Sequence, residues 1–263
     1  MRKKSTIITK SILRQVIFYG LLIAIWQGFY YIGVSELKLW KPYAVPNPVG
    51  VWESLLALIR QNALFGAVAS SMKRVLFGYA LSIAIGAFSG FLLIRFKIFT
   101  YTLKPLMLGV QTLPSICWVP FAILWFGLNE RAILFVVVMG STFSIAIAVD
   151  MAIRSVNPVF IKAARTMGAK GLNLYVKVVL PASLPMLITG LKQGWSFAWR
   201  SLMAGEVMTA TVGLGQVLTM GRDLADINRV TLIILIIILL GVLIEKYVFT
   251  TLENKVLKRM GFA

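Results

Sequence analysis

Arg200 is the residue of this chain whose type and place could do chemistry. It lies in GLKQGWSFAWRSLMAGEV, residues 190–207, an apolar stretch whose other charges, Lys192 and Glu206, stand toward its two ends. In a span that begins near Leu187 the guanidinium sits roughly 20 Å along a helix rising 1.5 Å per residue. A charge at that depth is costly, so it must face protein or a water-filled cavity. A guanidinium suits sulfonate, nitrate or carboxylate, so one reading is an arginine that lines a path for an anion. The other is a structural pair, with Asp150 or with Glu206 of the partner subunit. Glu206 follows Arg200 by six residues and leaves its helical face, so a pair within one helix is not expected. Lys192, nearer the start of the span, can snorkel. Glu206, Gln111, Thr112, Ser115, Trp118, Trp195 and Trp199 are candidates to share the path, although ordinary packing or helix–helix hydrogen bonding also accounts for such residues.

Other chemistries are excluded. Histidine is absent, which removes imidazole catalysis and His metal ligation; no catalytic residue and no metal site is expected. Cys117 is the single cysteine, so no intrachain disulfide forms, and it reads as a small buried residue. No G-x-x-x-x-G-K-[ST] run occurs, so any phosphate-cradling loop must come from another chain.

The elements that position these residues are membrane spans. The chain has 263 residues, is 59% hydrophobic and has a mean hydropathy of +0.86. A soluble domain of that length has too little core to hide so much apolar sequence. Six segments are apolar enough to cross a bilayer: Val16–Ile32, Val75–Ile94, Leu106–Phe126, Ala132–Met151, Leu187–Met208 and Thr231–Thr251. The third holds Pro114 and Pro120 and should be kinked or broken. In the second, Gly86 and Gly90 form a G-x-x-x-G that permits close helix packing. The basic start, MRKKSTIITKSILRQ, has no apolar run before Val16, and the first span reads as a retained helix.

Six spans put both termini on one side. With both in the cytosol, the inner segments hold about twice as many lysines and arginines as the outer ones. The net charge of +18 is then read as contact with anionic lipid headgroups, and nucleic acid is not an expected partner. The chain reads as one domain: a cytosolic tail (1–15), an external segment (36–70) and a cytosolic loop (152–186). Within the external segment Asn47-Pro48 starts a short helix with Val51, Leu55, Leu58 and Ile59 on one face, too short and too charged to span, and suited to the membrane surface.

The cytosolic loop carries the densest pattern. In Asn157–Pro181, NPVFIKAARTMGAKGLNLYVKVVLP, Asn157 can cap a helix and Pro158 suits its first position. A helix over Val159–Met167 would end at Gly168 in the left-handed conformation. A second, about Leu172–Val179, would be stopped by Pro181. Ala163 and Ala164 leave backbone accessible to a partner.

These residues resemble the cytosolic loop of bacterial binding-protein-dependent ABC importer permeases, whose pattern is Glu-Ala-Ala, three residues, Gly, nine residues, Ile, one residue, Leu-Pro. Here Lys162-Ala163-Ala164, Gly168, Val178 and Leu180-Pro181 keep that spacing, with Lys for Glu and Val for Ile. The resemblance runs from about Asn47 to Phe262. It is nearest to the nitrate, sulfonate, taurine and bicarbonate importers through SMKRVLFG (71–78), LPSICWVPFAILWFG (113–127) and GLKQGWSFAWRSLMAGEV (190–207).

The resemblance implies an all-helical, six-span type I, MetI-like permease in a bacterial inner (plasma) membrane. It implies a homodimer with two ATPase subunits on the cytosolic face and an external substrate-binding protein that meets the loops Glu36–Pro48, Gly127–Arg131 and Leu214–Arg229. ATP and Mg would sit on the ATPase, with no cofactor on this chain. Lys162, Ala163, Ala164, Arg165, Gly168, Ala169, Leu180 and Pro181 would be the loop that docks on the ATPase, although Lys162 departs from the acidic residue of the pattern. The expected cargo is a small anion, sulfonate or taurine ahead of nitrate. An ion-coupled secondary transporter would need buried carboxylates and often an internal repeat; acids are scarce and no repeat is visible. A membrane scaffold without transport would leave Arg200 unexplained.

Overall fold

The computed structural model describes residues 2–209 and 211–259, and every regular element among them is helical. Met1 and the last residues of the resemblance, beyond Arg259, lie outside the described residues. Five helical runs are long and apolar enough to cross a membrane: Leu13–Glu36, Ala63–Arg95, Glu130–Arg154, Gly171–Met208 and Ile227–Lys258. A bent pair, Lys97–Gln111 with Ser115–Phe126, makes a sixth if counted as one span. The sequence reads as one domain, while contacts in the structure group into two compact units, Met1–Phe65 with Val217–Ile236 and Gly66–Gln216 with Ile237–Ala263.

In the first unit α1 (Arg2–Tyr30) runs into a wide π-helical turn over Tyr31–Glu36. The Trp26 indole N–H donates to Pro46 O at 3.0 Å. Asn47 caps α2 (Pro48–Arg60) by accepting from Val49 N–H, and its own N–H donates to Asn228 Oδ1 at 2.8 Å. Of the four residues expected on the inner face of α2, Val51 and Leu58 are buried, Leu55 is half-buried and Ile59 is exposed.

The second unit is organised around α6 (Glu130–Arg154), which packs along α9 (Leu180–Met208). Small residues set the approach. A Cβ on Gly86 of α3 (Ala63–Arg95) would lie 2.9 Å from Thr142 O, and one on Gly90 would lie 2.7 Å from Ala146 O. The G-x-x-x-G therefore joins α3 to α6, and Gly194 and Gly205 play the same part on α9 against Ile145 and Ile133.

Two prolines act differently from expectation. The third span is broken at Thr112–Pro114, where α4 (Lys97–Gln111) gives way to a short 3₁₀ turn (Ser115–Trp118) and α5 (Val119–Phe126), with a bend of 103°. Pro114 alone causes the break, because it disfavours helical geometry at Leu113. Pro120 sits in the first turn of α5, where its missing N–H has no cost. Nor does Pro181 stop a helix. α8 (Gly171–Leu174) passes through a π-helical turn, Tyr175–Val179, straight into α9. Leu180 N–H bonds to Tyr175 O, five residues back, and this widened turn accommodates a residue with no N–H to give. Cys117 also departs from its expected burial: it lies on the exposed side of the 3₁₀ turn.

The two buried acids of this unit, Glu206 and Asp150, are both satisfied. Glu206 has no exposed surface and accepts from Ser71 Oγ (2.8 Å), Arg74 Nη1 (2.9 Å) and Gly215 N–H (3.0 Å). Arg74 also reaches Val212 O and the exposed Glu130, and Ser71 Oγ accepts from Leu214 N–H. Asp150, equally buried, binds Lys104 Nζ at 2.7 Å and Arg154 Nε at 2.6 Å, tying α4 to α6. Removing one partner of a buried ion pair leaves an uncompensated charge and costs about 3–5 kcal/mol. Glu206→Ala is therefore expected to lower the thermal unfolding midpoint of the detergent-solubilised chain sharply, while Glu130→Ala, at the exposed end of the same network, barely moves it.

Candidate functional site

Arg200 leaves α9 toward a cavity of about 410 Å³ in the second unit. The wall comprises residues 110–116 and Trp118 at the broken α4–α5 junction, Met139 and Gly140 of α6, and Phe197, Arg200 and Ala204 of α9. The broken junction thus supplies Gln111, Thr112 and Ser115 to the cavity wall. Ser115 Oγ accepts from Ser201 Oγ at 2.7 Å, and Gly140 leaves room for that serine where any Cβ would collide with it. Gln111 Oε1 is buried with no donor among the described residues.

Arg200 is exposed toward this space. Its Nε donates to Ser196 O at 3.1 Å, one turn back, and the guanidinium carbon stands 4.9 Å from the Phe197 ring centroid. No carboxylate pairs with it among the described residues. Asp150 is taken by Lys104 and Arg154, and Glu206 by Arg74, so within the chain neither of the acids considered for it is available. The two Nη groups can therefore serve a ligand, as a planar donor fork does for an oxyanion.

The structure brings five of the eight sequence candidates for the path, Arg200, Gln111, Thr112, Ser115 and Trp118, to one cavity. Trp195 and Trp199 line a second one, which also has Arg200 in its wall. Glu206 is placed elsewhere: it is sealed into the network with Ser71 and Arg74, away from any cavity wall. Arg74 carries no distinguishing signal in the sequence, because its partner Glu206 lies 132 positions away. Ser201, Gly140 and Phe197 were also missed, because nothing in sequence relates α6 and α9 to the Pro114 break.

The segment 157–181 folds as a short cap-to-cap helix and a turn. Asn157 Oδ1 accepts from Val159 N–H, starting α7 (Pro158–Thr166). Gly168 has φ of +88°, Ala169 N–H bonds to Ala164 O and Gly168 N–H to Arg165 O, a paired closure that satisfies the last carbonyls. Ala164 is buried with Val156, Leu174 and Val179, so it seats the loop and does not offer its backbone outward. Its neighbour Ala163 is exposed, as are Lys162, Arg165, Gly168, Leu180 and Pro181, and Ala169 is partly covered. Met167 (81% exposed) and Leu172 (79%) flank Gly168 as bare apolar side chains, a feature of the segment that sequence reading passed over.

Residues 82–257, two thirds of the chain, match the family described as binding-protein-dependent transport system inner membrane component. A putative ABC transporter permease of Methanocaldococcus jannaschii is 28% identical over 90% of this chain and 89% of its own length. The putative aliphatic sulfonates transport permease SsuC of Bacillus subtilis is 30% identical over 91% and 84%. Among solved structures, an amino acid ABC transporter chain superposes with a TM-score of 0.64 at 13% identity, covering 76% of this chain and 97% of that one. This chain is a member of the binding-protein-dependent transport family, the transmembrane permease subunit of an ABC importer whose ATP hydrolysis is carried by a separate subunit.

Proposed function

We propose that this permease carries a small oxyanion, an aliphatic sulfonate or taurine ahead of nitrate, along a path lined by Arg200. The observation that carries this reading is a guanidinium with no carboxylate partner among the described residues, facing a cavity with Gln111, Thr112 and Ser115. The sulfonate permease of Bacillus subtilis supports the cargo class by its name. Two copies of the chain form the path, a substrate-binding protein delivers cargo on the outer face, and both termini face the cytosol. Two ATPase subunits bind ATP and Mg and engage the segment 162–181. Met167 and Leu172 supply the apolar contact, Lys162 and Arg165 the charge, and Gly168 the turn that presents them. ATP-driven closure of the ATPase pair moves this segment, and the continuous helix from Gly171 to Met208 transmits the movement to Arg200.

Co-purification tests the docking: deletion of 162–180 should abolish recovery of the ATPase subunit from detergent-solubilised membranes, and undiminished recovery would sink the assignment. Gly168→Val forces a β-branched residue into a left-handed conformation, at about 1–2 kcal/mol or more. The chain should still insert, while ATP-driven uptake collapses. Arg200→Ala removes charge-assisted hydrogen bonds worth about 1.5–3 kcal/mol, which corresponds to uptake of an aliphatic sulfonate falling about tenfold or more. The assembled complex should melt as the parent does, because Arg200 holds no acid in place.

A further inference from the structure

Lys192, Ser196 and Arg200 follow one another at four-residue spacing on α9, so they share one face and form a polar stripe about 12 Å long. Arg200 Nε reaches Ser196 O, and Ser196 Oγ reaches Lys192 O. At the end of the stripe nearer the 157–181 segment, Lys192 Nζ lies 2.7 Å from Glu245 Oε1. Glu245 follows α11 (Ile227–Ile244) and opens a π-helical turn, Glu245–Phe249. Such turns recur at functional sites because they re-aim side chains within a helix.

A second cavity, about 400 Å³, lies between α9 and residues 237–245. Trp195, Ser196, Trp199, Arg200, Gly241 and Glu245 contribute to its wall. Trp195 and Trp199 stack with centroids 6.2 Å apart at 18°, and Trp195 Nε1 is buried with no acceptor among the described residues. Arg200 belongs to the wall of both cavities, so an anion held at Arg200 from the first has the second directly before it.

The Lys192–Glu245 pair differs from the other two internal clusters. Its side chains are 32% and 48% exposed, whereas Glu206 and Asp150 have no exposed surface. A half-open pair contributes little as a clamp, and charges set in apolar helices are tolerated where they face a wet cavity and not lipid. Conduction needs several weak stations, each favourable enough to enter and easy enough to leave.

We infer that Lys192 is a second anion-binding station of the path, reached from Arg200 through the Trp195–Trp199 cavity, and that Glu245 is the resident counter-ion which a passing oxyanion displaces. This rests on the reading of Arg200 as path lining. The carboxylate weakens the station so that cargo moves on, and it closes the ion pair again behind it.

Iodide, a small anion that quenches tryptophan fluorescence, tests this on the assembled, detergent-solubilised importer without knowledge of the cargo. Glu245→Gln should raise the iodide quenching constant several-fold by unmasking Lys192 at the cavity wall that Glu245 shares with the two indoles. Lys192→Gln/Glu245→Gln should bring it back to the parent value or below. The gain should vanish when Trp195→Phe and Trp199→Phe are added, and quenching by neutral acrylamide should stay as in the parent. If Arg200→Ala lowers iodide quenching while Glu245→Gln leaves it unchanged, the second station is wrong and the Arg200 path stands. If neither variant changes it, both readings fall. A parallel rise with acrylamide, or a Glu245→Gln chain that no longer assembles, would make the pair a structural clamp and overturn the proposal.

Discussion

Glu206 and Asp150 have no contact with solvent, and the arrangement of the surrounding helices follows from what each needs. A buried carboxylate is stable only with cationic or N–H and O–H partners at close range. Glu206 draws Ser71 and Arg74 of α3 and Gly215 N–H onto the end of α9, and Arg74 in turn reaches Val212 O and Glu130. Asp150 draws Lys104 of α4 and Arg154 of α6 together. Two acids thereby join α3, α4, α6 and α9 at polar points, while Gly86 and Gly90 let α3, and Gly194 and Gly205 let α9, approach α6 closely. Once these acids have taken their partners, Arg200 is left without a carboxylate among the described residues, facing a cavity.

The long helices of the second unit differ in where they are continuous and where they break. The run from Gly171 to Met208 stays helical through Pro181 and Pro185, because a widened turn precedes the first proline. It can therefore carry displacement from one end to the other as a single rod. The α4–α5 pair does the opposite. Pro114 breaks it, and the bend of 103° turns a short stretch of polar backbone and side chains inward to face Arg200. Irregular backbone at membrane depth is tolerated where it lines a polar cavity, which is where this break lies.

The 157–181 segment holds its shape without a folded domain around it. Asn157 at one end and Gly168 at the other satisfy the terminal backbone groups of a nine-residue helix. Ala164 anchors it on Val156, Leu174 and Val179. The rest of its surface is left exposed, Met167 and Leu172 most of all.

Much of this was legible before any coordinates. Apolar runs of about twenty residues define spans because a bilayer has one thickness, so helical class and nearly all span positions follow from hydropathy. The caps at Asn157 and Gly168 were legible because their chemistry is local, one side chain to the next turn of backbone. Arg200 stood out for the same kind of reason: a charge in an apolar stretch is conspicuous wherever it points. What a charge pairs with is another matter. Arg74 reaches Glu206 across 132 positions and Lys104 reaches Asp150 across 46, and no spacing rule foretells which acids meet which bases. The fates of Glu206, Ala164, Cys117 and Pro181 were likewise decided by neighbours distant in sequence or by the width of a preceding turn. Residue type and local spacing determine which groups must find a partner or a cavity; only the packing of α3, α4, α6 and α9 determines which do, because those pairings are set by helix approach and not by the chain between them.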